Sequence, residues 1–135
     1  MSQSLSISLL TTVMGIIPIC FGINAILRPQ HALTFFEFEP PVAPRDRSLV
    51  DSLMIVYGAR DIFMGLAVYA AGFFGTRKSL GWTLTATSAV AIADGAVCWS
   101  NGHGEWNHWG YAPVLAIIGG LLVRSDGKDN TDKTK

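Results

Sequence analysis

Four apolar runs separated by short polar breaks organise the chain. They fall at residues 5–27, 48–74, 80–99 and 108–123, and a helix that crosses a bilayer needs about 20 mostly apolar residues. The first run, "LSISLLTTVMGIIPICFGINAIL", stops at Arg28-Pro29, and the second, "SLVDSLMIVYGARDIFMGLAVYAAGFF", closes at Gly75 with Arg77-Lys78 beyond. The pattern predicts an all-α protein, an integral membrane four-helix bundle over residues 1–124 with a polar, disordered tail at 125–135. Small residues recur at three- and four-residue spacing in "GLAVYAAG" (65–72) and "TATSAVAIADGA" (85–96), as they do where helix backbones pack closely in lipid. Pro18 and Pro113 fall inside runs and are expected to kink them.

The breaks differ in kind. "GTRKS" (75–79) is a tight turn. The first loop, 28–47, is long, and its "HALTFFEFEPPVAPRDR" reads as an interfacial segment followed by an extended piece. Lys and Arg divide six to three between the two sides. Arg77, Lys78, Arg124, Lys128, Lys133 and Lys135 stand against Arg28, Arg45 and Arg47, which places both termini in the cytosol. The endoplasmic reticulum or another endomembrane is the expected site. The N-terminus lacks the positive n-region of a cleaved signal peptide.

Composition sharpens this picture. Half of the 135 residues are hydrophobic and only 15% are charged, against about a quarter in soluble domains. The net charge is zero, with no basic stripe, so no nucleic-acid partner is expected. Cys20 and Cys98 lie inside apolar runs and read as small buried hydrophobes rather than as a redox or metal pair.

Against that background, Arg60 and Asp61 stand out in the middle of the second run. Arg60 lies about 18 Å along its helix from Ser48, near the midplane, and Asp94 lies about 8 Å below the Trp99 end of the antiparallel third helix. The two helices can bring Arg60, Asp61 and Asp94 to one depth. Tyr57 shares their face, Asn24 reaches the same level from the first helix, and His103, Glu105 and His108 cap that half of the bundle from the last loop. Trp99 and Trp109 form an aromatic belt or wall an apolar pocket. An ionisable group in mid-membrane marks function unless it serves only as a register-fixing ion pair. His103, Glu105 and His108 have the spacing of no common zinc motif, and no phosphate-cradling loop, haem ligand pattern or dinucleotide fingerprint occurs. Neither a metal nor a cofactor is therefore expected.

The residues "GARDIFMGL", then "ADGAVCW", then a histidine-bearing loop before the last helix, resemble a family of small four-helix membrane proteins of unknown function, common in fungi and found in bacteria. In that family Arg-Asp is followed by Gly in the second helix, here Arg60, Asp61 and Gly65, and Asp-Gly stands in the third, here Asp94 and Gly95. Members often lie near natural-product pathways, so the resemblance implies the architecture and a biosynthetic role. A second resemblance, in size and architecture alone, is to the small membrane anthrone oxygenases of fungal polyketide pathways.

The function expected from these residues is acid/base chemistry without a cofactor on a lipophilic small molecule, such as a cyclisation, isomerisation or epoxide opening. Asp94 is the expected general acid, because Asp61 has Arg60 beside it, and His108 or His103 is the expected base. Tyr57, Asn24, Trp99, Trp109 and Glu105 are expected around the substrate. The alternatives are a carrier or assembly factor that uses the Arg60–Asp61–Asp94 network as a proton relay or a register device, and a membrane oxygenase. The partners expected are the bilayer and the substrate, and a thin bundle of this kind can also assemble as a homo-oligomer.

Overall fold

The computed structural model describes residues 5–132, with side chains through Ser125. It is all-helical, and among the described residues there is no strand. In chain order come α1 (Leu5–Leu27), α2 (Pro29–Leu33), a 3₁₀ turn (Thr34–Phe36), α3 (Pro44–Phe74), α4 (Arg77–Ser100), α5 (Trp106–Trp109) and α6 (Ala112–Asp132). Five α-helices have five residues or more, one beyond the expected four. The addition is α2, in the long first loop, where Pro29 supplies a preset φ for the first turn.

The ends of the long helices have local causes. α1 spans the expected residues. α3 begins four residues early because Pro44 sits in its first turn. α4 begins at Arg77, where the Thr76 side chain accepts from the Ser79 amide and Ser79 reaches back to the Thr76 amide. The expected fourth helix, from 108, is two elements. His108 and Trp109 belong to the single turn α5, and α6 starts at Ala112. Pro113 therefore stands in a first turn, where no intrahelical N–H is missing, and not within the helix interior. α6 runs on past Arg124 to Asp132, into the segment expected as a tail, and residues 133–135 lie outside the described region.

Among the described residues two helices, α1 and α3, are long and apolar enough to cross a membrane, where four were expected. In α4 the apolar positions are interrupted by Thr83, Thr85, Thr87 and Ser88, and the apolar stretch of α6 ends at Val123. The α4 threonines keep their hydroxyls within the helix, each donating to the carbonyl four residues back: Thr83 to Ser79, Thr85 to Gly81 and Thr87 to Thr83, at 2.9–3.0 Å. Large apolar side chains face outward on all four long helices. Leu9, Phe63, Trp82 and Ile117 are each more than half exposed.

The core consists of two tightly packed helix pairs. α1 lies antiparallel on α3 along a seam of glycines. A Cβ on Gly22 would run into the Gly58 carbonyl, one on Gly65 into the Gly15 carbonyl, and one on Gly72 into Thr11. The seven-residue steps 58, 65, 72 and 15, 22 keep this seam on one face of each helix. α4 meets α6 in the same way, at Gly81 and Gly119. Ser88 Oγ donates to the Ala112 carbonyl at 2.7 Å and ties the start of α6 to the middle of α4. α3 joins the two pairs through α4. Of the two cysteines, Cys98 is buried as expected, but Cys20 is exposed on the outer side of α1, and both are free.

Candidate functional site between the helix pairs

A cavity of about 460 Å³ lies between the two pairs. Its walls are largely apolar, with Met14, Ile17 and Phe21 from α1, Met64 from α3, and Leu84 and Val90 from α4. Ile17 and Phe21 of α1 and Val114 of α6, together with Tyr111 just before α6, line the cavity and are each close to half exposed. The cavity thus opens sideways between α1 and α6, the two long helices that are paired elsewhere.

The polar groups gather at one end. Asp61 and Asp94 both line the cavity, with Tyr57, Tyr111, His108 and Asn107 around them. Arg60 reaches across from α3 to α4 and holds Asp94 at two points, Nη1 donating to Oδ1 at 3.0 Å and Nη2 to Oδ2 at 2.8 Å. Its bonds to Asp61 are longer, 3.3 Å from Nε and 3.2 Å from Nη2, and both fall on Oδ1. The guanidinium also lies 4.2 Å from the Tyr57 ring centroid. Arg60 thus holds Asp61, as its position in the sequence suggests, and Asp94 as well. Arg60 is next to Asp61 in sequence, but the two-point, charge-assisted bond goes to Asp94. One turn of sequence separation says little when a long side chain can cross to a neighbouring helix.

His108 is the second polar centre. It is 4% exposed, and neither Nδ1 nor Nε2 has a hydrogen-bond partner. Buried polar groups are nearly always satisfied, so a buried imidazole with both nitrogens unpaired beside a cavity is a reservoir of binding capacity. It lies in the α4–α6 connection, outside the long helices. Burial pushes its imidazole below the ordinary histidine range, and the nearby Asp94 carboxylate opposes that shift without cancelling it. Burial therefore favours the neutral imidazole, the form that can accept a proton.

The first loop closes the polar end. Ala32, Leu33 and Phe36 are buried, so this segment folds into the bundle, where an interfacial segment was expected, and 38–43 lies outside any helix, with a bend at 42–43. The Phe36 ring centroid is 5.1 Å from that of Tyr57 and 4.8 Å from that of His108. Asn107 Nδ2 donates to Glu37 Oε1 at 3.2 Å, joining first loop to last. Gly104, at φ +87°, brings its backbone against the Phe36 carbonyl, where a Cβ has no room.

Tyr57, Arg60, Asp61, Asp94 and His108 thus come together as a site. His103, Glu105, Asn24, Trp99 and Trp109 do not join them. His103 is exposed and lies against Phe38, with ring centroids 6.1 Å apart, and Glu105 precedes α5. Among the described residues no three His, Cys, Asp or Glu side chains form a group that would hold a metal. Asn24, half-buried in α1, pairs through Oδ1 with the exposed His31 Nδ1 at 3.1 Å, and its Nδ2 is buried without a hydrogen-bond partner. Trp99 points outward, and Trp109 packs on Gly95 with its Nε1 donating to the Ile92 carbonyl at 3.1 Å. The residues that sequence reasoning missed are Phe36, Asn107 and Tyr111. The phenylalanine run "TFFEF" carried the available signal for the first, since aromatic residues amid a polar loop seek a core.

A family model described as a domain of unknown function (DUF4267) matches residues 15–122. No curated protein and no solved structure matches the chain. The matched region takes in every residue of the cavity wall except Met14, together with Arg60, and covers most of the sequence. The chain belongs to the DUF4267 family.

Proposed function

We propose that this protein is a membrane-embedded catalyst that binds a lipophilic small molecule between its two helix pairs and moves a proton on it. The observation that carries this reading is the pairing of an apolar, sideways-open cavity with a buried His108 whose two nitrogens are unpartnered, facing two carboxylates that share one arginine. A register-fixing ion pair needs neither a cavity nor an unpaired imidazole. A carrier needs polar groups leading through both halves of the bundle. The cavity's charged groups are confined to one end, and Met14, Met64 and Leu84 line it elsewhere.

In this reading Asp94 stays ionised in the grip of Arg60 and holds the guanidinium in place. Asp61, less firmly held, is the general acid. Its proton passes to an epoxide, carbonyl or alkene of the substrate, and His108 accepts a proton from a neighbouring carbon or hydroxyl. One proton in and one proton out leaves the redox state unchanged, which suits a cyclisation, isomerisation or epoxide opening. The resting protonation states return by exchange with water. The substrate is a natural-product intermediate or another lipid-soluble metabolite, reached from the bilayer through the opening between α1 and α6. Deleting the gene from its host and comparing organic extracts tests this directly. A substrate accumulates and its isomer disappears, and a host whose extracts are unchanged argues against catalysis.

All four long helices span the bilayer in this proposal, with their outward leucine, isoleucine and phenylalanine side chains facing lipid and both termini cytosolic in an endomembrane. A reporter fused after Lys135 is expected to be accessible in the cytosol. A lumenal reporter overturns this orientation.

A further inference from the structure

The polar end of the cavity has an uneven charge count. Of the described residues that line it, Asp61 and Asp94 are carboxylates and none is Lys or Arg. Arg60 lies behind them, and among the described residues it is the one cation that either carboxylate bonds. Arg60 can balance one of the two carboxylates; the other, Asp61, holds a proton at rest and keeps its charge only when a further positive charge arrives in the cavity. Both oxygens of Asp94 are taken by the guanidinium, whereas its bonds to Asp61 fall on Oδ1 alone and leave Oδ2 outside the fork. The aromatic residues Phe36, Tyr57 and Tyr111 line the same end, and the Tyr57 ring already carries the Arg60 guanidinium on its face.

Building on the function proposed above, we infer that the cavity is selective for a molecule that is cationic when bound: an apolar body filling the methionine- and leucine-lined part, with a single positive centre set against Asp61 at the aromatic-lined polar end. Two kinds of molecule share this chemistry. One is a lipid-soluble amine, which brings its charge. The other is a neutral substrate that becomes cationic when Asp61 protonates it; the carboxylate left behind then balances the charge that has just formed. In both, the surplus carboxylate is the selecting group, and Arg60 only keeps Asp94 from competing for it.

The full-length protein in nanodiscs of neutral phosphatidylcholine provides the test, by binding of three probes with the same chain: dodecyltrimethylammonium, dodecanol and dodecanoate. Empty nanodiscs give the partition background. The cation is expected to bind at least 10-fold more tightly than the alcohol, and dodecanoate is expected not to bind. In Asp61→Asn the preference for the cation is expected to collapse while dodecanol binding persists. The ranking in the wild-type protein stands as a test by itself should the variant fail to fold. Equal binding of cation and alcohol overturns the inference and leaves the lipophilic cavity in place; no specific binding of any of the three overturns the cavity as a ligand site altogether. Partitioning the metabolite that changes in the deletion host between solvent and dilute acid separates the two kinds of ligand. An amine moves to the acid, and a substrate that is charged only during turnover stays in the solvent.

Discussion

Replacing Asp61 with asparagine is expected to lower product formation by at least about 100-fold, the scale of a lost general acid, while the folded yield stays near that of the wild type. Asparagine keeps the shape of the side chain and an oxygen to accept from Arg60, but it has no proton to give at neutral pH. The two-point bond between Arg60 and Asp94 is untouched, so the link between α3 and α4 survives. Asp94→Asn is expected to behave differently. It weakens the stronger of the two ion pairs, so stability falls, and activity falls with it because Arg60 is no longer anchored. Activity per folded molecule and melting temperature, measured for both variants, distinguish the roles. Loss of activity confined to Asp94→Asn would return the acid to Asp94, and full activity in both would remove acid catalysis from this site.

Arg60→Ala is expected to cost about 3 kcal/mol of stability, the lower part of the range for breaking a buried pair because the guanidinium is partly exposed. The loss comes from what remains. Asp61 and Asp94, with side chains 6% and 14% exposed, would face each other with no cation between them. Neutralising the whole group is expected to recover much of the loss, so Arg60→Leu combined with Asp61→Asn and Asp94→Asn should be more stable than Arg60→Ala alone. Thermal unfolding in a non-ionic detergent reads both. If Arg60→Ala melts with the wild type, water reaches the carboxylates and the low-dielectric account of this site fails.

Much of this arrangement was legible in the residues, and the parts that were not have identifiable causes. The uninterrupted apolar run at 5–27 locates α1 at both ends, and an arginine and two aspartates in otherwise apolar runs announce that α3 and α4 must face each other there. Helix periodicity and depth carry that much. They say nothing about which carboxylate a flexible guanidinium grips at two points, and that choice falls on Asp94 rather than on its sequence neighbour Asp61. Loops were less legible still. His103, Glu105 and His108 lie within six positions of one another, yet only His108 turns inward, because the turn through Gly102 and Gly104, both at positive φ, redirects the chain between them. The first loop hides its Phe36 lid in a stretch rich in prolines and charges, and its burial depends on a partner surface, at Tyr57 and His108, that is distant in sequence. Trp99 and Trp109 were expected near the pocket on position alone. The helical phase puts Trp99 outside, and the missing side chain of Gly95 gives Trp109 a seat on the back of α4.

The central claim is that the space between the helix pairs is where the protein acts, and filling it tests that most directly. Met64 lies one turn after Asp61 and lines the cavity, so Met64→Trp puts an indole beside the carboxylates without touching Arg60, Asp61, Asp94 or His108. The void has room for the added atoms, and folding is expected to persist. The measurement is the metabolite profile of the deletion host carrying this variant at wild-type abundance. The account predicts the profile of the deletion itself. A fully restored profile, with the variant folded and the cavity filled, would contradict it.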